Sequence, residues 1–343
     1  MKAAILTGHG GNEVVDYGDF PTPEPKHGNV LVKMKAAAIN HVDLYMRDSG
    51  AGITHELPMV MGIDGAGVVE EANPCNGFQK GDPVIIYPDE HCGQCRYCQA
   101  GEQAFCLKVA ILGEHRHGTL GEYLAISARC LLPKPESLSF DEAACLPVAY
   151  LTAWRMIFTR AQIRPGQTVL IHGIGGGVSL AALQLCKMAG AHVIVTSSSD
   201  EKLARAKTMG ADQGINYTRD PVANTVLAAT NKLGVDVVIE NVGNATWGDS
   251  LRSVSRGGKV VVCGATTGGD APADLQRVFV RQIQILGSTL GNIMELRQLI
   301  QAVAQNKIRP VIDSTYNLDQ IHAALDAMDK GQQFGKIVIR HEA

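Results

Sequence analysis

The sequence has no apolar run of membrane-spanning length, no basic stripe, no internal repeat and no low-complexity tract. The first absence argues against a transmembrane helix. The second, with a net charge of only −3, argues against a nucleic-acid or membrane-surface partner. One lysine precedes a short apolar run ending at Gly8, too short for the apolar part of a secretory signal. The cytoplasm is therefore the expected compartment. An even cysteine framework is missing too: there are nine cysteines, and an odd count with one tight cluster fits metal binding better than disulfides. What remains is ordinary globular composition, 45% hydrophobic and 19% charged, in a chain too long for one core.

The first third reads as short β runs, VLVKMKAAAI, GAGVVE and DPVIIY, separated by the turn signals PTPEPKHG, NPCNG and QKGD. This pattern predicts an antiparallel, barrel-like region. Near residue 150 the character changes to alternating strands and helices: TVLIHG, SLAALQLCKMAG, AHVIVTSS, DEKLARAKTMG, VDVVIENVG, TWGDSLRSVSRGG and KVVVCGA. Val- and Ile-rich strands between amphipathic helices predict βαβ units and a parallel sheet. The tail adds the helical MELRQLIQAVAQN and the strand KIVIRH. The fold class is therefore α/β, divided at 1–149, 150–290 and 291–343.

Two motifs carry chemistry. Cys92, Cys95, Cys98 and Cys106 follow the spacing C-x2-C-x2-C-x7-C in a polar, glycine-containing lobe at about 89–108. Four thiolates at these separations close a tetrahedral zinc site with no open position, so the expected ion is structural. Four free thiols would lack a core to hide in. The remaining five, Cys75, Cys130, Cys145, Cys186 and Cys263, read as buried thiols.

The second motif runs from Val169 to Ser179 as strand, glycine turn and helix, with Gly173, Gly176, Gly177 and Val178 at the turn. Glycines admit a pyrophosphate close to backbone N–H groups, and the helix N-terminus adds partial positive charge. A plain glycine-rich loop is the alternative. The next strand ends in Ser197 and Ser198, where an NAD site usually places an acid on the ribose 2′-hydroxyl. With Lys202 nearby, these hydroxyls suit a 2′-phosphate, so NADP(H) is expected over NAD(H). The serines can also cap the following helix, with Asp200 and Glu201 as its N-terminal acids.

Together with MKAAILTG, NHVDLYMRDSG, DVVIENVG, GGKVVVCGATTG, QILGSTLG and FGKIVIR, these motifs resemble the medium-chain dehydrogenase/reductase superfamily along essentially the whole chain. The resemblance implies a GroES-like β domain interrupted by a Rossmann domain, with the last strands returning to the first domain. It also mixes two branches, the zinc-type alcohol dehydrogenases and the quinone oxidoreductases. The three catalytic-zinc positions of the zinc branch match Asn40, Ile63 and Val148, and the proton-relay position matches Val42. Amide, isoleucine and valine cannot together hold Zn²⁺.

By resemblance, Asn40 contacts the nicotinamide or the substrate oxygen, and Tyr45 donates a hydrogen bond near developing charge or forms a pocket wall. Asp43 and Asp64 hold the pocket together or relay a proton, with a structural role favoured for Asp43. Thr152 lies beside the nicotinamide. Backbone at Cys263, Ala265 and Ser288 binds its carboxamide, and Tyr217 and Lys336 touch ribose or phosphates. Ser179 replaces the last glycine of the turn. His41 is expected to pack inside, His115 and His117 to lie on a surface loop, and Cys145 in the core.

Without a Lewis acid an isolated ketone is poorly polarised, whereas a conjugated acceptor spreads charge onto a distant oxygen. The expected activity is therefore NADPH-dependent reduction of quinones or α,β-unsaturated carbonyls. The expected partners are a small-molecule substrate and a second or further copies of the chain, as homodimer or homotetramer through the apolar QIQILGST strand. Two alternatives stand. One is an alcohol dehydrogenase with a metal improvised from His41, Asp43, Asp64, Glu114 and His115. The other is a non-catalytic NADPH-binding protein.

Overall fold

The computed structural model describes residues 1–26, 28–72, 77–306 and 308–341; Cys75 lies outside them. The chain forms two units, Met1–Leu151 with Asn292–Ala343, and Thr152–Gly291.

In the first unit, the long strand Asn29–Ile39 is the spine. It pairs antiparallel with Asp64–Glu71, with Tyr123–Ser127 and with the tail strand Lys336–Arg340. Pro83–Ile86 and Leu131–Pro133 extend one side of the sheet and Ile312–Asn317 the other. A smaller sheet holds Lys2–Leu6 between Val15–Asp19 and Met59–Val60. The pairings among the strands of the first third are antiparallel, as expected. In the tail, Ile312–Asn317 and Lys336–Arg340 run parallel. A parallel pair needs a crossover, and the helix Ile321–Asp329 supplies it.

The tail completes the core of this unit. Leu6, Ile39, Met46 and Met61 pack with Ile321, Leu325, Ile337 and Ile339 from the other end of the chain. The helix His41–Ser49 is locked at both ends. Asn40 is its N-cap, and the Asp43 carboxylate accepts the Asn40 N–H at 2.7 Å, one arm of a capping box. Gly50 ends it at φ 68°, a left-handed position that glycine takes without strain. The buried Arg47 clamps Asp329 of the tail helix through two hydrogen bonds of 2.8 and 3.2 Å.

The second unit is one six-stranded parallel sheet, in the order Gln213–Asn216, His192–Ser197, Thr168–Ile171, Val235–Glu240, Val254–Val262, Gln284–Gly287. Taken in chain order this is 3-2-1-4-5-6, the doubly wound order whose direction reverses beside the first strand. Glycine turn and reversal point therefore coincide. The central strands are buried on both faces, as their unbroken Val and Ile runs require. One helix ends earlier than the sequence pattern suggests. Asn244–Ser253 stops at Ser253, and Val254–Val262, including Gly257 and Gly258, is strand.

Candidate functional site

In the first unit the site is a buried polar knot. Asp64, fully buried, accepts hydrogen bonds from Asn40 Nδ2 at 2.9 Å, from Lys336 Nζ at 2.9 Å and from the Val148 backbone N–H at 2.7 Å. Residue 64 thus touches positions 40 and 148 directly. The segments that resemblance assigns to a catalytic metal do converge in space, and an amide, an isoleucine and a valine occupy them. The cation beside the Asp64 carboxylate is the Lys336 ammonium. Its three protons go to Asp64 Oδ2, to Asn40 Oδ1 at 2.5 Å and to Ile39 O at 2.9 Å.

This arrangement corrects two expectations. Lys336 is not a ribose or phosphate contact: it is 3% exposed and every ammonium proton is already bonded within its own unit. Asn40 has neither amide N–H free to donate to a ligand. Its two N–H groups serve Ala38 O and Asp64, and its oxygen accepts from Lys336. A lysine at the head of a strand that is apolar from Ile337 to Ile339, in FGKIVIR, was the available signal. A buried charge needs a partner.

Burial pushes the Asp64 carboxyl upward, while the Lys336 ammonium and two N–H donors pull it back. Burial takes Asp43 up to about 7; its carboxylate serves the helix cap, the structural role favoured from sequence. Tyr45 differs. It is 38% exposed, and partial burial raises its phenol above the ordinary value. His41 is also exposed, against expectation, because it opens the helix on the face Tyr45 shares one turn later. His115 and His117 are exposed, as expected of a surface loop. Cys130, Cys145 and Cys186 are buried, but Cys263 is only partly so.

In the second unit the glycine turn follows strand Thr168–Ile171 and opens the helix Gly177–Met188. Gly173 and Gly175 adopt φ 63° and 126°. A Cβ at Gly173 would press on Val242 at 3.3 Å. A network that sequence reasoning missed holds this turn from behind. Glu240, fully buried, accepts the N–H groups of Val242 and Gly243 and the hydroxyl of Ser250 at 2.5 Å. Ser250 spends its only proton there, so His172 Nε2–H donates to Ser250 Oγ at 3.1 Å. His172 Nδ1 then accepts from Thr196 Oγ1, which itself accepts the Gly173 N–H at 3.2 Å. Burial pulls His172 below its ordinary value, which suits this neutral tautomer. Ser179 Oγ donates to His172 O and accepts from Asn241 Nδ2, a use for the residue that replaces the expected glycine.

The turn suits a dinucleotide. Beyond it, Asn241 Oδ1 and Ser288 Oγ are buried polar atoms without a protein partner, so each has hydrogen-bonding capacity to spare. Ser288 is the residue matched to carboxamide binding. Cys263 and Ala265 lie in the same region, past the end of the fifth strand. Thr152 is buried on the helical turn Leu151–Trp154. Ser198 is exposed, whereas Ser197 is buried and its Oγ accepts the Ser199 N–H. Ser199 caps the next helix, so capping and an acid-free strand end coexist. Asp200 is engaged by Arg219 at 2.6 and 2.8 Å and by Asn216. Tyr217 is half exposed beside Ser197.

The zinc lobe is closed. The four sulfurs of Cys92, Cys95, Cys98 and Cys106 lie within 4.8 Å of one another, three pairs at 3.6 to 3.9 Å. Zn–S bonds of about 2.3 Å at tetrahedral angles separate sulfurs by about 3.8 Å, so the group fits. Backbone N–H groups of Cys92, Cys95 and Lys108 point at the sulfurs, and the Cys98 N–H helps draw the Cys95 thiol down to about 6. Beside the lobe sit two buried acids, Asp89 and Glu114, each raised to about 7 by burial.

Residues 26–136 match the alcohol dehydrogenase GroES-like domain family, and residues 177–305 the zinc-binding dehydrogenase family. A zinc-type alcohol dehydrogenase-like protein of Schizosaccharomyces pombe is 35% identical over 91% of each chain. This chain is a medium-chain dehydrogenase/reductase. An acryloyl-coenzyme A reductase of Metallosphaera sedula is 30% identical over 99% of each chain. The crystal structure of an NAD-dependent alcohol dehydrogenase superposes with TM-score 0.95 at 39% identity, covering 99% of each chain. As a member of this superfamily the protein is an oxidoreductase with a Rossmann-type cofactor unit.

Two outcomes follow. Lys336→Met strands a buried carboxylate and costs roughly 3–5 kcal/mol in urea unfolding, whereas adding Asp64→Asn recovers a large part. An additive loss in the double variant would mean that the two groups are not coupled. For Asp89, the folded pKa lies above the unfolded one. Its stabilising contribution is full below about 4 and is lost as pH rises through about 7. Asp89→Asn therefore flattens the fall of melting temperature across that window; an unchanged slope would assign the fall to other groups.

Proposed function

We propose that this chain reduces conjugated carbonyl acceptors, quinones or α,β-unsaturated carbonyl compounds, with NADP(H) and without a catalytic metal. The observation that carries the reading is the Lys336 ammonium bonded to Asn40 and Asp64, beside the segments that resemblance assigns to a catalytic metal. A fully bonded ammonium has no open position with which to polarise a carbonyl oxygen, so charge must be handled otherwise.

The bound cofactor supplies a hydride. A conjugated acceptor takes it at the carbon remote from the carbonyl, and the displaced electron pair moves to oxygen as an enolate. Tyr45, the exposed hydroxyl on the His41–Ser49 helix, is the donor assigned to that oxygen. A proton from solvent then completes the saturated product. Asn241 Oδ1 and Ser288 Oγ are assigned to the nicotinamide carboxamide, and the glycine turn to the pyrophosphate. The acid-free end of the second strand, with Ser198 exposed and Asp200 tied to Arg219, supports NADP(H). The conjugated acyl group in the name of the Metallosphaera relative supports the substrate class. Several relatives are named NAD-dependent alcohol dehydrogenases, which makes aldehyde reduction with NADH the second reading. One zinc ion, held by the four cysteines, completes the enzyme.

The assembly is proposed to form through the edge strand Gln284–Gly287. Ile285 is exposed there, with Leu275, Phe279 and Val280 on the preceding helix. An unpaired edge with apolar neighbours suits pairing with a second copy.

The deciding measurement is turnover of NADPH and NADH against a panel of quinones, enones, aldehydes and ketones. Quinone or enone turnover with NADPH at least about tenfold above any aldehyde rate is expected, with one zinc per chain retained after dialysis against a weak chelator. Aldehyde reduction dependent on a second, tightly held zinc would replace this reading with the alcohol-dehydrogenase one, and tight NADPH binding without turnover would leave a cofactor-binding protein. For the assembly, Ile285→Lys is expected to shift the sedimenting species to the monomer; an unchanged species would move the interface elsewhere.

A further inference from the structure

The geometry points to a second divalent-metal site, of the zinc, nickel or copper type, formed by His9 and His55. It is separate from the zinc lobe and from the Asp64 knot, and it does not rest on the proposed reaction.

Hydrogen-bond direction carries the argument. His9 Nδ1 lies 3.0 Å from Met46 O, and His55 Nδ1 lies 2.7 Å from Ile53 O. A carbonyl only accepts, so both Nδ1 atoms carry the proton and both Nε2 atoms of the neutral rings are bare lone pairs. Those two atoms face each other at 3.2 Å. Two lone pairs repel at that distance unless a cation sits between them, either a proton or a metal ion.

The metal fits better than distance alone suggests. Zn–N bonds of about 2.0–2.1 Å at a tetrahedral angle put two ligand nitrogens about 3.3 Å apart. Metal-binding histidines characteristically donate the other ring N–H to a carbonyl or carboxylate, which fixes tautomer and ring orientation. Both rings here do so. Imidazole pairs select zinc, copper and nickel over magnesium and calcium, which prefer oxygen ligands.

The surroundings are built to hold the pair. The rings meet edge to face, 83° between planes. Gly50 lies beneath them; a Cβ there would come within 2.7 Å of His55 Cε1 and 3.0 Å of His9 Cε1. The same glycine needs φ 68° to end the helix, so two constraints coincide on one residue. The Gly10 N–H bonds Arg47 O at 3.0 Å and pins the His9 loop to that helix end. His9 is exposed and His55 half-buried, so an ion can enter and water can complete its shell. His55 lies near enough to lower the His115 imidazole electrostatically, but His115 Nδ1 accepts the Ile111 N–H at 3.2 Å and is already committed. A bound ion would brace the C-terminal end of the helix that carries Tyr45.

The test is calorimetric titration of the full-length protein, carrying one zinc per chain in the four-cysteine lobe, with NiCl2, alongside His9→Gln, His55→Gln and the double variant. One Ni²⁺ per chain is expected for the natural sequence, with affinity weakened about tenfold or more by either substitution and lost in both. Ni²⁺ should raise the melting temperature of the natural protein but not of the double variant, and excess Mg²⁺ should not compete. No Ni²⁺ uptake, or equal uptake by the double variant, would overturn the proposal. Should the variants fold poorly, anomalous scattering from Co²⁺-soaked crystals of the natural protein decides. A peak about 2.1 Å from both Nε2 atoms supports the site; its absence there rejects it.

Discussion

The first unit turns on one buried ion pair. Asp64 and Lys336 are 0% and 4% exposed at their side chains, and between them they engage the backbone or side chains of residues 39, 40 and 148. Removing two charges from water costs several kcal/mol per ion. That cost is offset only when every lone pair and proton finds a partner, so the geometry around the pair is tightly specified. The tail strand that delivers Lys336 must therefore register correctly against Asn29–Ile39, with Ile337 opposite Ile39 and Val338 opposite Ala38. A slip of one residue would turn the lysine to the opposite face of the sheet. The return of the chain end to the first unit is an electrostatic requirement as well as a hydrophobic one.

That knot also sets the chemistry. The segments around residues 40, 64 and 148 meet through Asp64. Residues 40, 63 and 148 are an amide, an isoleucine and a valine. An internal cation bonded on all sides neutralises the carboxylate without offering an open coordination position. Under the proposed reading, charge developing on a substrate oxygen is met by hydrogen bonds and by delocalisation within a conjugated acceptor. The second unit follows parallel logic. The His172, Ser250 and Glu240 network gives each proton one destination and thereby holds the glycine turn before any cofactor arrives.

The βαβ alternation, the glycine turn and the four-cysteine lobe were legible because each depends on local spacing. Strand period, turn chemistry and ligand separation are written within about thirty residues of sequence. The role of Lys336 was not legible, since 272 residues separate it from Asp64. Asn40 was misjudged for a related reason. Its position pointed to the site, but whether its amide faced a ligand depended on which neighbours had already taken its hydrogen bonds. The facing of His9 and His55 is equally non-local, decided by a helix end and two carbonyls.

The sequence by itself determined the kind of each part: an antiparallel β region, a doubly wound cofactor unit and a thiolate cage. These follow from residue type and near-neighbour periodicity. Only the tertiary structure decided which polar groups remain available. Hydrogen-bonding capacity is finite, and packing elements from opposite ends of the chain consumes it on Asn40 and Lys336 while leaving Asn241, Ser288 and Tyr45 capacity to engage a ligand.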